Sequence, residues 1–270
     1  MFNRQTLITM IGIQNKLNQT MGGNAWLQSD NTTRPYYRAA WIEGGEGIAH
    51  YGYKWWKMFD RSANIGQVKL EVVDMLHFIL SDELRFTFQT HMLTKTGEQQ
   101  IELGTEEIAA VLSFVDGQVD EGTVNRLIEE TADRIIHNGV IDIPESMVAN
   151  EETFILVAEQ FVLKALVHKR VQIKFWGALA DALNLNIEEA GIMYLGKAAL
   201  NFLRDSNGQK EGTYVKMWWG TEDNIYLERW LESYRVGRTI VEDGDVFTAV
   251  QDHLQEQYRR LLAGESALVV

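Results

Sequence analysis

The chain has no cysteine at all, so a disulfide framework and a thiolate metal site are both excluded, and a reducing compartment is permitted without being required. Proline is nearly as scarce. Only Pro35 and Pro144 occur in 270 residues, leaving long stretches free of the residue most hostile to a helix interior. No apolar run approaches the roughly 20 residues needed to span a bilayer. The first twenty residues, MFNRQTLITMIGIQNKLNQT, lack an apolar signal region and a small-residue cleavage site, which reads as an intracellular, cytoplasmic chain. Positive charge is also short: 25 Lys and Arg against 38 Asp and Glu give a net charge of -13. A general nucleic-acid binder needs a basic face, so nucleic acid is an unfavoured partner, whereas a small anion bridged by cations is not. What is present is a packing composition, 46% hydrophobic with eight Trp and nine Met.

The pattern along the chain is helical. Leu7, Ile8, Ile11 and Leu17 recur at helical intervals, predicting a helix from Gln5 to Leu17 that Met21-Gly22-Gly23-Asn24 stops. Pro35 introduces a second helix over 36–50, ended by Gly52. A third, over 65–87, is apolar on nearly all sides and belongs at the centre of a bundle. From about 98 to 152 acids cluster and helical periodicity weakens. A long helix is expected over 152–182, another over 187–204 opened by Asn186, and a last amphipathic one over 247–262. The expectation is an all-α bundle whose residues 1–87 carry the metal site. An inserted helical cap, 88–151, separates them from 152–270, which complete the bundle.

Glu43 and Glu46 are three residues apart on the second helix, and Glu71 and Asp74 three apart on the third, so each pair projects from one helix face. Glu71 and Asp74 sit inside LEVVDMLHFIL, with no Lys or Arg one turn away. Burying an unpaired carboxylate costs several kcal/mol, roughly, and demands a partner. A divalent cation held by oxygen ligands, Mg²⁺ or Mn²⁺ rather than zinc, is one answer. Arg or Lys arriving from another helix is the other. A di-iron bundle wants Glu-x-x-His twice, and only Asp74 to His77 approaches that spacing.

AAWIEGGEGIAHYGYKWWK followed by LEVVDMLHFILS resembles the dimeric dUTPase family, whose signature is E-x-x-E, a spacer and E-x-x-D. YLGKAALNFLRDSNGQKEGTYVKMWWGTEDN, from Tyr194 to Asn224, resembles the phosphate- and base-contacting motif of that family, and IQNKLNQTMGGNAW its N-terminal segment. The resemblance implies an enzyme that hydrolyses dUTP, and often dUDP, to dUMP on two or three Mg²⁺ ions held by Glu43, Glu46, Glu71 and Asp74, with Glu43 or Glu46 also serving as base. It implies a homodimer. It further assigns Lys54, Lys57, Lys197, Arg204, Lys210, Tyr214 and Lys216 to phosphates, and Gln14, Asn18, Trp26, His77, Phe78 and Asn201 to the base and sugar. For Trp26 and Phe78, plain core packing is an equal expectation.

The chain departs from the family pattern in two places. Glu43-Gly44-Gly45-Glu46-Gly47 stands where Glu-Cys-Ala-Glu-Leu is common, so the second helix is expected to be weakened or kinked. Ala198 stands where Asn follows the lysine, and Gln209 where Tyr is usual, which keeps a dCTP-preferring or dual-specificity enzyme open as an alternative substrate reading. Gly191 to Ala198 mimics a P-loop, but its loop positions are bulky and the hydroxyl residue is replaced by Ala198. A non-enzymatic acidic metal-binding interaction protein is the remaining alternative, and it predicts no turnover.

Overall fold

The computed structural model describes residues 3–56, 62–95, 119–138, 151–234 and 246–268. Helix α1 (Arg4–Gly22) opens on Asn3, whose side chain accepts the Thr6 amide at 2.8 Å, and closes on Gly23, whose φ of 74° a side chain would resist. Helix α2 (Tyr36–His50) follows Pro35 and runs without interruption through its three glycines. Packing against α3 along its length supplies what intrinsic propensity withholds.

Helix α3 (Ile65–Lys95) is the axis of the bundle. Val68, Leu70, Val72, Val73, Met75, Leu76, Ile79, Leu80, Leu84 and Phe88 are all at most 1% exposed, because α1, α2 and the helices over 121–138, 173–182 and 187–206 enclose it. Each such side chain contributes roughly 1.5–3 kcal/mol by leaving water. The helix runs on to Lys95 instead of ending at Thr87. Helix α4 (Glu121–Asn138) packs along α1 and α3, tied by Arg4 to Asp133 at 2.6 Å and by the Thr131 hydroxyl to that of Thr87 at 2.8 Å. The acids from Glu98 to Asp116 lie outside the described residues.

The single helix expected over 152–182 is two, α5 (Glu151–His168) and α6 (Ile173–Ala182). Lys169 adopts φ 51° between them. The cause lies on α3: Asp82 Oδ2 accepts the Val171 amide at 3.1 Å and Glu83 Oε1 accepts that of Ile173 at 3.3 Å. These buried carboxylates take amides that a continuous helix would bond to its own carbonyls.

Helix α7 (Ile187–Ser206) begins at Asn186, which accepts the Glu189 amide at 2.9 Å. The polar stretch after it turns back through a two-residue hairpin, β1 (Met217–Trp218) against β2 (Thr221–Glu222), with Trp219 and Gly220 both at positive φ. Helix α8 (Asp223–Tyr234), which periodicity did not announce, follows at once, and α9 (Val246–Leu262) packs on α7. Apart from that hairpin the described residues form an all-α bundle, and none of their helices is long and apolar enough to cross a membrane.

Candidate active site

Helix α2 lies close to α3 because its facing positions lack side chains. A Cβ at Gly47 would stand 3.6 Å from that of Glu71 and 3.5 Å from the Phe154 ring, and one at Gly44 would stand 3.5 Å from the Met75 methyl. The glycine-rich departure from the family pattern therefore draws the helices together. Across the contact, Glu43, Glu46 and Glu71 each offer a carboxylate oxygen within 4.8 Å of the others. Glu71 is 6% exposed, Glu43 half-buried and Glu46 exposed.

Three carboxylates this close cannot all ionise cheaply. Burial first, then Asp74, pushes Glu71 up to about 8, against the opposing pull of Lys197. Burial first, then Asp74 and Glu46, pushes Glu43 up to about 7. The two carboxyls are hydrogen-bonded to each other. The His50 ring lies beside the trio, with Nε2 3.5 Å from Glu71 Oε1. An all-oxygen donor set with uncompensated negative charge suits a hard divalent cation such as Mg²⁺ or Mn²⁺ and fits no soft metal.

Asp74 stands apart from this trio. Its Oδ2 lies 2.7 Å from Nζ of Lys197, an ammonium only 2% exposed, so a lysine from another helix does meet one of the four acids. Lys197 also donates to Asn224 Oδ1 at 2.9 Å. Arg204, one α7 face further on, grips Asp223 with two bonds of 2.8 and 2.7 Å, and reaches Asn224 at 3.0 Å and Asn201 at 3.4 Å. The Tyr214 hydroxyl donates to Asp223 Oδ2 at 2.9 Å. Burial works against the Asp223 carboxylate, yet the Arg204 and Tyr214 bonds hold it below the usual range. Thus Lys197, Arg204 and Tyr214 converge through two residues, Asp223 and Asn224, that had no assigned role. Their place in the quoted Tyr194–Asn224 block was the available signal.

A second polar chain runs behind Asp74. His77 Nδ1 donates to Gln14 Oε1 at 2.8 Å, and the Tyr194 hydroxyl donates to the same oxygen at 2.8 Å. Gln14 passes a bond to Asn18, and Asn18 to Ser81. His77 stacks on Tyr194 with ring centroids 4.0 Å apart. Burial pulls its pKa down to about 4, leaving a neutral imidazole whose Nε2 is a buried acceptor with no donor. Gln14, Asn18 and His77 therefore form one network, joined by Tyr194.

The remaining expected residues separate. Trp26 is wholly in the core, its indole donating to Asn15 at 3.1 Å, and Phe78 packs half-buried against the same core. Lys210 bonds Asp205 at 2.7 Å and the Thr20 carbonyl at 3.2 Å, while Lys216 is mostly exposed, 3.5 Å from Glu222. Lys54 is half-buried. Lys57 lies outside the described residues.

Compared with known proteins, residues 6–209 match the family model described as dUTPase. No curated protein matches the chain. The matched span holds all four acids, Lys197 and Arg204, and stops short of Asp223.

Proposed function

The chain belongs to the dUTPase family and is a dUTP diphosphatase, and on that premise we propose that it hydrolyses dUTP, and also dUDP, to dUMP with Mg²⁺ held by Glu43, Glu46, Glu71 and Asp74. The observation that carries this reading is the convergence of Glu43, Glu46 and Glu71 oxygens within 4.8 Å, with Glu43 and Glu71 both short of a counter-charge. When bound, two or three such ions would neutralise the triphosphate, lower the pKa of a water and polarise the attacked phosphorus.

The chain's own groups do the rest. A water oxygen forms the new P–O bond, one of Glu43 and Glu46 takes its proton, and the bond to the bridging oxygen breaks as that oxygen stays with the departing group, so that dUTP gives dUMP and pyrophosphate and dUDP gives dUMP and phosphate. Lys197 and Arg204 supply charge-assisted donors to phosphate oxygens, joined by Lys54, Lys57, Lys210, Tyr214 and Lys216 where the substrate reaches them. Lys197 holds Oδ2 of Asp74 at 2.7 Å, which leaves Oδ1 as the oxygen with which Asp74 would meet a cation.

Gln14, Asn18, His77 and Asn201 read the base and sugar with Phe78 beside His77, while Trp26 acts from the core behind them through Asn15. A homodimer is supported by the outer face of α5, where Leu156, Leu163, Leu166 and Val167 are 42–66% exposed beside an apolar groove closed by Phe175.

Phosphate and pyrophosphate release from dUTP, dUDP, dCTP and dTTP with Mg²⁺ tests the reading, comparing the natural chain with Glu46→Gln and Asp74→Asn. Turnover of dUTP that both substitutions abolish is expected. A preference for dCTP would keep the metal chemistry and overturn the base assignment, and turnover unchanged in both variants would remove the carboxylates from the mechanism.

A further inference from the structure

At the other end of α3 lies a second polar cavity, of about 310 Å³, lined by Glu83, Phe86, Arg134, Asn138, Arg170 and Lys174. Glu71 and Glu83 are separated by about 18 Å along the helix at 1.5 Å per residue. The chain as a whole is strongly acidic, yet here cations outnumber anions. Glu83, 3% exposed, is fully engaged: Oε2 takes Arg134 at 2.7 Å and Arg170 at 2.8 Å, and Oε1 takes the Ile173 amide at the start of α6. Asp82 is likewise committed to Arg85 at 2.5 Å and to the Val171 amide. One saturated carboxylate therefore holds two guanidiniums side by side. Lys174 adds a third cation, lying over the Phe175 ring at 5.1 Å with no carboxylate partner among the described residues.

The arginines have donors left over. Nε of Arg134 and Nε of Arg170 are both buried without a hydrogen-bond acceptor, although Asp82 Oδ2 stands 3.8 Å from that of Arg170. Burial, together with the neighbouring Arg134 and Arg85, pulls the Arg170 pKa down against the opposing effect of Glu83 and Asp82. Phe86 lies under both guanidiniums, 3.3 Å from Arg170 and 5.1 Å from Arg134, which fixes their planes at the cavity wall. Asn138 and Gln172 bring amides that donate and accept. The volume falls at the small end of ligand sites and exceeds what a bare oxyanion fills.

We propose that this cavity is a second anion site, separate from the carboxylate centre, that binds a phosphate monoester of mononucleotide size through Arg134, Arg170 and Lys174. Two converging guanidiniums match the geometry of phosphate oxygens, and the amides face the remainder of the ligand. The proposal does not rest on the reaction assigned to the acidic site.

The test is calorimetric titration of the full chain in Mg²⁺ with AMP, inorganic phosphate and adenosine in turn, AMP being chosen because its base is not the one the acidic site is proposed to read. Lys174→Glu is the informative variant, since Lys174 holds no buried ion pair, whereas replacing Arg170 would strand Glu83. Saturable AMP binding is expected, at least tenfold weaker in Lys174→Glu, unchanged in Glu71→Gln, and absent for adenosine. Lys174→Glu should leave KM and turnover for dUTP as they are, with an unaltered melting curve. Phosphate binding as tightly as AMP would overturn the nucleotide size and leave a simple oxyanion site. Absence of AMP binding, binding indifferent to Lys174→Glu, or binding lost in Glu71→Gln would each overturn the second site.

Discussion

At Glu71 a carboxyl that is 6% exposed faces two further acids and holds its proton up to about pH 8, against an ordinary value of 4.5. Burial is the main reason and Asp74 the next. Because the folded pKa lies above the unfolded one, the folded chain keeps a proton that the unfolded chain has already lost. Metal-free stability is thus intact below about pH 4.5 and falls as pH rises toward about 8. Glu71→Gln removes this titration. In the presence of a chelator its melting temperature should exceed that of the natural chain near about pH 8 and lose that advantage near about pH 4.5. The same substitution should lower dUTP turnover in Mg²⁺ by roughly 100-fold, the upper end of what disturbing a metal site costs. A variant less stable than the natural chain at the higher pH would show that Glu71 is paired rather than strained. The identity of this acid was legible in the sequence, because an acid in LEVVDMLHFIL with no basic neighbour one turn away has few explanations.

At the scale of the helix, the glycines of α2 divide by what surrounds them. Gly45 faces open space, with nothing within 4 Å of an added Cβ, so its only effect there is to weaken the helix. Gly45→Ala should stabilise the protein by roughly 0.5–1 kcal/mol, about 2 °C in melting temperature, with turnover unchanged. Gly47 is set against Phe154 and Glu71. Leucine there, as is common in the family, would overpack the α2–α3 contact by about 1–3 kcal/mol and push Glu43 and Glu46 away from Glu71, so both stability and metal affinity should fall. Equal melting temperatures for Gly45→Ala and the natural chain would mean that α2 gains nothing from propensity. Helix boundaries show the same division. Asn3 and Asn186 are local caps, visible as residues. The break between α5 and α6 depends on Asp82 and Glu83, which are far away in sequence and near in space.

For the molecule as a whole, metal binding and folding should be linked. A cation at Glu43, Glu46 and Glu71 displaces the protons that Glu43 and Glu71 hold and relieves the repulsion among the three. MgCl₂ should therefore raise the melting temperature more near about pH 8 than near about pH 5, since at the lower pH protons compete for the same oxygens. A shift of equal size at both values would place the ion elsewhere.

The sequence by itself determined the all-α class, the existence of the central helix from Ile65 and the two acid pairs, because each is written in spacings of three, four or seven residues, and its motifs carried the resemblance that the dUTPase family match bears out. The tertiary structure alone decided how those parts meet. It paired Asp74 with Lys197 and left it apart from the carboxylate trio, coupled Arg204 to Asp223 beyond the family match, and joined His77 to Gln14 and Tyr194. It also brought Arg134 and Arg170 to one oxygen of Glu83. The reason is physical: helical periodicity records which face of an element is buried, and nothing in it records which residue of another element will fill the facing position.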